Sequence, residues 1–454
     1  MNLYSLLQRR TAAAGPIRVG VIGAGKFASM FLTQAVNSES LHLVGVADIN
    51  IPKARAAMDR TGWPAERYAA ADLDEAVRTG GTAVIDSSDD LIAHPAVEVI
   101  LEVTGNPIVG TRHAVAAIDN GKHVIMVNVE ADCMVGPILA RRAAAAGVVY
   151  AMAYGDQPAL ICELVDWCRT VGFDVVCAGK GTKHLPEYTY STPDTVWDYY
   201  GFTDEQLASG DFNPQMFNSF LDGTKSAIEM AAVANGTGLL PQDEGLFFPA
   251  ASKDDLPVVF RENTLPGGRL TRRGTVEIAS SMYPDGTEVP DNLRWGVYVT
   301  FEAVTDYAVK CFAEYGVHTD PTGRYGSLYR PYHMIGLELG VSIASAVLRN
   351  EATGSPTGFR GDVMTTAKRD LRAGELLDGE GGYTVVGRLA PAPVSLAREA
   401  LPLGLAHGAR MIRDVPKDGT VSWADVEVDE SLLAVQIRKQ LEAEFRSEHV
   451  AAAV

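Results

Sequence analysis

Cysteine is scarce in this chain of 454 residues, since only five are present and no two of them form a CxxC pair. An odd, scattered set argues against a disulfide framework and against a cysteine-based metal site, and it is typical of small buried side chains in a reducing compartment. The sequence also lacks an HExxH motif, a cluster of cysteine and histidine, and carboxylates at the spacing of a calcium-binding loop. The motifs therefore predict no metal site, and a magnesium site built from distant carboxylates stays open.

Long apolar runs and an excess of positive charge are missing as well. No segment reaches the ~18 consecutive apolar residues of a membrane span, and residues 1–15 lack the apolar core of a signal peptide. The net charge is −18 at pH 7, from 39 Lys and Arg against 57 Asp and Glu. This charge argues against nucleic acid and against a membrane as partners, although a local group of Lys and Arg can attract an anionic substrate. The sequence predicts a cytoplasmic protein.

A glycine turn follows the first apolar strand of the chain. Residues 17–22 run into a turn in which Gly23 permits a tight bend, Gly25 permits the close approach of a pyrophosphate, and Ala28 permits close packing of a helix. About twenty residues later a second apolar strand ends on Asp48, where a carboxylate can accept from ribose hydroxyls. A structural turn without ligand is the alternative. We predict a dinucleotide site, and hence a nicotinamide redox step, formed by Gly23, Ala24, Gly25, Lys26, Phe27 and Asp48.

The choice between the two nicotinamide cofactors stays open at this stage. Asp48 favours NAD(H), because a carboxylate at this position repels a 2′-phosphate. Lys53 and Arg55 follow shortly after and can neutralise that phosphate, which favours NADP(H).

Two further turns are predicted to face the same cofactor. Thr104 and Gly105 follow the apolar strand at residues 97–103, at the carboxyl edge where open α/β sheets bind ligands. Asp156 lies in the turn after a later strand and is predicted to face the same crevice. A purely structural role is the alternative for each turn.

The alternation of strands and helices over the first third of the chain predicts a parallel sheet covered on both faces. A chain of this length usually forms two or three domains. We therefore predict an α/β fold with a Rossmann-type parallel-sheet domain over residues 1–157, an α+β domain for substrate binding and oligomerisation over residues 158–362, and a small module with a terminal helix over residues 363–454.

Cationic residues in the second domain are candidates for substrate binding. A strand is predicted over residues 173–180, and Lys180, Thr182 and Lys183 are expected to lie on a Gly-Thr turn at its end. Lysines in such a turn suit a phosphate or a carboxylate. An ordinary solvated turn is the alternative.

A helix predicted over residues 219–236 carries the catalytic candidates. Lys225 is predicted to polarise the reacting carbonyl, together with Asp222 on the same helical face and Lys183. The alternative is a surface ladder of ion pairs in which Lys225 bridges Asp222 and Glu229.

A second pair of candidates precedes a helix predicted over residues 334–348. Arg330 can clamp an anionic substrate through two hydrogen bonds, and His333 can move a proton near neutral pH. A structural histidine is the alternative for His333.

Part of the sequence resembles the cofactor domain of homoserine dehydrogenases. The resemblance is carried by the Gly23–Ala28 turn, the strand end at residues 99–105, and residues 123–128, which end on Asn128. It implies that Asn128 contributes to the cofactor site. Those enzymes continue with lysine, whereas this chain has Val129, which puts homoserine oxidation in doubt.

The whole chain resembles the 1-deoxy-D-xylulose 5-phosphate reductoisomerase-like (DRL) family of bacterial oxidoreductases. The matching segments are residues 1–7, 25–31, 154–158, 179–183 and 401–408. The resemblance implies NADPH-dependent conversion of 1-deoxy-D-xylulose 5-phosphate to 2-C-methyl-D-erythritol 4-phosphate in isoprenoid precursor synthesis. It also allows a divalent ion, Mg²⁺ or Mn²⁺, to hold the rearranging substrate.

The last part of the chain resembles a SAF domain, a small β-clip module. Two similar phrases carry the resemblance, one at residues 367–377 and one at residues 412–421. Taken together, we expect an NAD(P)-dependent oxidoreductase acting on a small anionic or hydroxy-carbonyl substrate, assembled as a homodimer or homotetramer. A homoserine-dehydrogenase-like reductase of another small hydroxy-aldehyde or sugar-acid derivative, and a nucleotide-sensing binding protein, are the alternatives.

Overall fold

The computed structural model describes residues 2–203, 205, 207 and 212–452. The chain divides into two compact units, which we call the first unit (Met1–Leu160 and His333–Thr357) and the second unit (Ile161–Tyr332 and Gly358–Val454). Met1 and residues 453–454, which the predicted first and third domains include, lie outside the described residues. The three-domain boundaries stay a prediction, to which the structure adds a return of the chain to the first unit at His333.

Strands and helices alternate along the first unit, as the sequence predicts. The strands are β1 (Ile17–Ile22), β2 (Leu41–Ala47), β3 (Ala83–Ile85), β4 (Val99–Glu102), β5 (His123–Met126), β6 (Tyr150–Met152), β7 (Asp174–Thr182), β8 (Thr275–Ser280), β9 (Val297–Glu302), β10 (Tyr325–Arg330), β11 (Gly361–Ala367), β12 (Val385–Pro391), β13 (Arg410–Met411) and β14 (Val426–Glu427). The α-helices are α1 (Leu3–Ala14), α2 (Lys26–Ala35), α3 (Ile51–Arg60), α4 (Leu73–Thr79), α5 (Ser88–Ala93), α6 (Pro107–Asp119), α7 (Val129–Ala146), α8 (Gln157–Thr170), α9 (Val196–Tyr200), α10 (Pro214–Leu221), α11 (Thr224–Thr237), α12 (Leu256–Val259), α13 (Asp306–Glu314), α14 (Leu339–Arg349), α15 (Ala392–Ala397) and α16 (Leu433–Ala452).

A six-stranded parallel sheet forms the centre of the first unit. Its strand order is β3-β2-β1-β4-β5-β6, with β1 between β2 and β4. Its strands are buried and rich in valine and isoleucine, which is typical of a parallel sheet covered on both faces. The sheet confirms the predicted α/β class.

Helix α14 explains why the chain returns to the first unit. Its residues Leu339 and Ile343 are fully buried in the same apolar cluster as Val19 and Val21 of β1. Burying a leucine or isoleucine side chain stabilises a fold by about 1.5–3 kcal/mol each. The helix predicted over residues 334–348 therefore exists, although it begins only at Leu339.

A four-stranded mixed sheet forms part of the second unit. Its strand order is β10-β9-β7-β8, in which β7 pairs in parallel with β8 and antiparallel with β9. Helix α11 packs against β7 and β8 and against the antiparallel pair β11–β12. All of its residues except Lys225 and Gly236 are buried, so α11 is a core helix of this unit.

Two predictions of local structure need correction. The segment predicted as one helix over residues 219–236 forms two helices, α10 and α11. Gly223 adopts a φ of +90°, which interrupts the helix. The Asp222 carboxylate accepts the backbone N–H of Thr224 at 2.8 Å and so stabilises the start of α11. Strand β7 extends to Thr182, so Lys180 and Thr182 lie in a strand and not on the predicted turn.

The two phrases behind the SAF resemblance lie mostly outside regular strands, since β11 ends at Ala367. A single bridge joins them, at Leu371 with Val415, and a second bridge links Leu376 to Arg410, just before the second phrase. Helix α16 is attached through Arg438, whose guanidinium makes two hydrogen bonds to Asp362 of β11. Across the residues that the structure describes, none of the helices is long and apolar enough to span a bilayer.

Candidate functional site

The glycine turn after β1 has the geometry that a pyrophosphate needs. Gly23 has a φ of +101°, and a Cβ at this position would lie 3.0 Å from the Val103 carbonyl, so only glycine fits. A Cβ at Gly25 would meet no atom within 4 Å, so the backbone there is open to a ligand. Gly25 is also the N-cap residue of α2. Since it has no side chain to accept from the first-turn N–H groups, those groups are left for an anion.

Asp48 lies at the end of β2, directly beside this turn. One carboxylate oxygen accepts the N–H of Ala24 at 2.7 Å, and the other accepts the N–H of Asn50 at 2.8 Å. These bonds fix the carboxylate next to the glycine turn and leave lone pairs for ribose hydroxyls. Lys53 and Arg55 are exposed in the first turns of α3. The arrangement fits a dinucleotide.

Thr104 and Asn128 lie in a hydrogen-bonded network at the ends of β4 and β5. The Thr104 hydroxyl donates to the buried Glu102 carboxylate at 2.6 Å, and the Asn128 amide donates to the Asn106 carbonyl at 2.9 Å. The Asn128 side-chain oxygen accepts the N–H of Ala131 and caps α7. Gly105 is exposed with a φ of +69°. The structure therefore adds a helix-capping role for Asn128 to its predicted cofactor role.

Asp156 is buried in the turn between β6 and α8. Its carboxylate accepts the N–H of Gln157 at 2.9 Å. The neighbouring Gly155 has a φ of +98°, and a Cβ there would lie 2.7 Å from the Met334 carbonyl. This turn is thus packed against the segment that leads into α14, and its predicted contact with the cofactor stays a prediction.

Lys180 is buried in a strand, so the alternative of an ordinary solvated turn does not hold for it, and its predicted contact with the substrate stays a prediction. It is 5% exposed in β7, and its ammonium forms an ion pair with Glu229 of α11, which is 3% exposed. A buried lysine is stable only when a partner offsets its charge. The glycines beside it serve the sheet, because a Cβ at Gly179 or Gly181 would overlap backbone carbonyls of neighbouring segments.

Lys183 is the half-buried cation at the end of this segment. Its ammonium donates to the Tyr199 carbonyl at 2.5 Å and lies 6.0 Å from the centre of the Tyr200 ring. The Arg294 guanidinium lies 5.8 Å from the same ring. Burial, and then the charge of Arg294, lower the pKa of Lys183. Two cations that share one aromatic ring form a candidate anion site, which we call the Lys183–Arg294 pair.

Asp222 is fully engaged by other residues of the second unit. One oxygen accepts the Lys368 ammonium at 2.7 Å, and the other caps α11 at Thr224. Lys368 also donates to the carbonyls of Ser191 and Gly382, both at 2.9 Å. The surface ladder considered for this helix is therefore wrong, because Asp222 and Glu229 are buried and pair with lysines remote in sequence.

The remaining candidates are distributed over both units. Lys225 is half-buried in the first turn of α11, and Thr182 and Arg330 end β7 and β10 in the second unit. The Arg330 guanidinium lies 5.9 Å from the Tyr332 ring. His333 is half-buried and belongs to the first unit, so nearness to Arg330 in sequence does not place the two in one unit.

Sequence reasoning missed Lys368 and Arg294, because nothing in their local patterns distinguishes them from surface cations. Asp222 lies 146 positions from Lys368, and Tyr200 lies 94 positions from Arg294. Among the described residues, no group of three or more His, Cys, Asp and Glu is placed to hold a metal ion.

Two family models match parts of the chain. Residues 17–126 match a model described as an oxidoreductase family with an NAD-binding Rossmann fold, and residues 155–339 match one described as the catalytic domain of oxidoreductase DRL. These matches confirm the prediction of an NAD(P)-dependent oxidoreductase. No curated protein is significantly similar to the chain in sequence.

Solved structures with similarity to the chain include three oxidoreductases. A myo-inositol dehydrogenase from Corynebacterium glutamicum is 12% identical, with a TM-score of 0.28 over 40% of this chain and 48% of that chain. A 3-ketoreductase from Actinomadura kijaniata in complex with NADP is 16% identical, with a TM-score of 0.25 over 37% and 49%. A biliverdin reductase from Synechocystis sp. PCC 6803 in complex with biliverdin and NADP+ is 20% identical, with a TM-score of 0.26 over 38% and 51%. The chain spans about half the length of each.

Proposed function

We propose that this oxidoreductase converts 1-deoxy-D-xylulose 5-phosphate to 2-C-methyl-D-erythritol 4-phosphate with a reduced nicotinamide, preferably NADPH. The hydroxy-ketone rearranges to an aldehyde, which takes a hydride and a proton to become an alcohol. The observation that supports this reaction is the match of residues 155–339 to the DRL catalytic domain, because that segment contains both the candidate carbonyl-polarising Lys225 and the Lys183–Arg294 pair.

The first unit supplies the cofactor site in this proposal. A bound nicotinamide supplies the hydride. The Gly23–Gly25 turn and the first turn of α2 bind the pyrophosphate through backbone N–H groups. Asp48 binds the ribose, and the exposed Lys53 and Arg55 bind a 2′-phosphate.

The second unit supplies the groups for the substrate. Lys183 and Arg294 bind the phosphate, since both carry charge that no carboxylate within hydrogen-bond reach offsets in the described residues. Lys180 contributes less to binding the substrate phosphate than the sequence predicts, because Glu229 already offsets its charge. Lys225 polarises the carbonyl oxygen. Contacts with the substrate hydroxyls are assigned to Thr182, Arg330 and His333. Asp222 positions Lys225 by holding the start of the helix that carries it.

The test is oxidation of NADPH and of NADH against 1-deoxy-D-xylulose 5-phosphate, followed by the absorbance of the reduced ring. Each reaction is run with and without Mg²⁺ or Mn²⁺, and 1-deoxy-D-xylulose without its phosphate is the matched control. The proposal expects turnover that depends on the phosphate. No turnover with this substrate, together with turnover of unphosphorylated hydroxy-aldehydes, would support the homoserine-dehydrogenase-like alternative instead.

The proposal includes two expectations about the rest of the chain. Residues 363–454 form a SAF-like module, and the protein assembles as a homodimer or homotetramer. Sedimentation equilibrium of the full chain measures the second expectation directly, and a monomer at micromolar concentration would contradict it.

A further inference from the structure

A cavity of about 1010 Å³ lies within the second unit, outside the groups used above except Asp222. Its walls come from residues 184–186, 189–190, 244–250, 280, 282–284 and 386–389, together with residues 222, 223 and 227 around the start of α11 and Arg269. Apolar and aromatic side chains dominate the walls, including Phe247, Phe248 and Met282. Its volume suits a small molecule with an aromatic body.

His184 provides one open hydrogen-bond acceptor in this cavity. It is 7% exposed, and its Nδ1 lies 3.3 Å from the Leu221 carbonyl. A carbonyl oxygen only accepts, so Nδ1 carries the ring proton. Burial lowers the pKa of His184 to about 4, so the ring is neutral at pH 7 and Nε2 is an acceptor. Within the part of the chain that the structure describes, Nε2 has no hydrogen-bond partner. This acceptor is accessible on the cavity side, so a donor of a bound ligand can reach it.

The wall facing His184 is held in a strained conformation. The Phe248 ring stacks on the His184 ring with centres 3.9 Å apart, and the Phe248 backbone has a φ of +51°. The buried Glu277 carboxylate holds this segment by accepting the N–H groups of Phe247 and Phe248 at 3.1–3.3 Å. Strain that the surrounding structure maintains in this way is a feature of ligand sites.

The charges around the cavity pair off except for two of opposite sign. Asp222 is bonded to Lys368, and Arg388 to Asp418 at 3.2 Å. Glu244 and Arg269 also line the cavity, both are exposed, and neither has an ion-pair partner among the described residues. A ligand that carries one positive and one negative group would complement both.

We propose that this cavity binds a zwitterionic aromatic ligand with a terminal hydrogen-bond donor, the chemistry of L-tyrosine. The hydroxyl donates to His184 Nε2, the ring packs against Phe247 and Phe248, the carboxylate binds Arg269, and the ammonium binds Glu244.

The experiment is ligand-observed NMR titration of the full chain with L-tyrosine, with L-phenylalanine as the probe that lacks only the hydroxyl. L-Tyrosine is expected to bind up to about tenfold more tightly, the value of one hydrogen bond. In His184→Phe the two amino acids should bind equally. Equal binding to the unchanged protein, or no binding of L-tyrosine, would overturn the proposal.

Arg269→Gln is a second variant that does not disturb the buried ring. This variant should lower the affinity for L-tyrosine about tenfold or more, since a charged hydrogen bond is lost. It should not change the weaker binding of tyramine, which lacks the carboxylate. Arg398→Gln, an exposed arginine outside the cavity, is the matched control and should have no effect. If Arg269→Gln leaves L-tyrosine binding unchanged, the assignment is wrong. No nicotinamide takes part, so this result is independent of the proposed reaction.

Discussion

The ion pair between Lys180 and Glu229 makes the sharpest prediction about the second unit. Both side chains are almost fully buried, 6% and 3% exposed, so each charge depends on the other. Glu229→Gln removes one charge and leaves the lysine buried without its counter-ion. Breaking a buried pair in this way costs about 3–5 kcal/mol. We therefore expect Glu229→Gln to lower the free energy of unfolding by that amount.

The double variant Lys180→Met with Glu229→Leu separates lost charge balance from lost packing. Replacing both partners with apolar residues of similar volume is often neutral or stabilising, so the double variant should recover most of the loss. Glu375→Gln breaks the exposed pair with Arg369 and should cost only about 0–1 kcal/mol.

Urea unfolding, followed by circular dichroism and by tryptophan fluorescence, measures all three variants. If Glu229→Gln costs no more than Glu375→Gln, Lys180 is not held by a buried ion pair. Its charge would then be available for its predicted role in binding a phosphate or carboxylate. If the double variant is as unstable as Glu229→Gln alone, the loss comes from packing and the electrostatic reasoning is wrong.

Three further predictions address the cofactor, the substrate and a buried acid. Lys183→Ala should raise the KM for the phosphorylated substrate about 10- to 100-fold, as expected for a charged hydrogen bond, with a smaller change in kcat. Steady-state kinetics measure this, with Lys253→Ala at another half-buried lysine as the control. An unchanged KM would contradict the prediction. Asp48→Asn should shift the ratio of NADPH to NADH affinity about tenfold towards NADPH, because the repulsion of the 2′-phosphate is removed. Calorimetry with both nucleotides measures this ratio. An unchanged ratio would count against the role of Asp48. Burial raises the pKa of Asp132 from 3.8 to about 7. The folded chain then keeps a proton that the unfolded chain has released, so wild-type stability falls as the pH rises from about 4 to 7. Asp132→Asn cannot ionise, so its free energy of unfolding should rise relative to that of the wild type by up to about 4 kcal/mol between pH 4 and pH 8. Urea unfolding at a series of pH values measures this difference. If the two pH profiles run parallel, the Asp132 carboxyl titrates normally and the prediction is wrong.

The cofactor turn could be predicted from sequence because its signals are local. The tight bend at Gly23, the open backbone at Gly25 and the acid at the end of β2 all lie within one strand–helix–strand segment. Positive φ and close backbone approach leave glycine as the only choice at Gly23, so the residue type itself carries the information. The parallel sheet followed from the repeated apolar strands for the same reason.

The partners of buried charges could not be predicted in this way. Lys368 meets Asp222 across 146 positions of the chain. No periodicity or motif links such residues, because the contact exists only after β11 has packed against α11. The same limit applies to the return of residues 333–357, whose helical pattern is visible in sequence but whose packing partners in β1 are not.

The central claim is that the Gly23–Gly25 turn binds a nicotinamide dinucleotide. Gly25→Val tests it directly, because a Cβ there meets no protein atom within 4 Å and the φ of −77° suits any residue. Calorimetric titration with NADPH and NADH should show binding to the wild type and a loss of affinity of at least about tenfold in the variant, with the same unfolding temperature. No heat of binding to the wild type, or equal affinity in the variant, would contradict the claim.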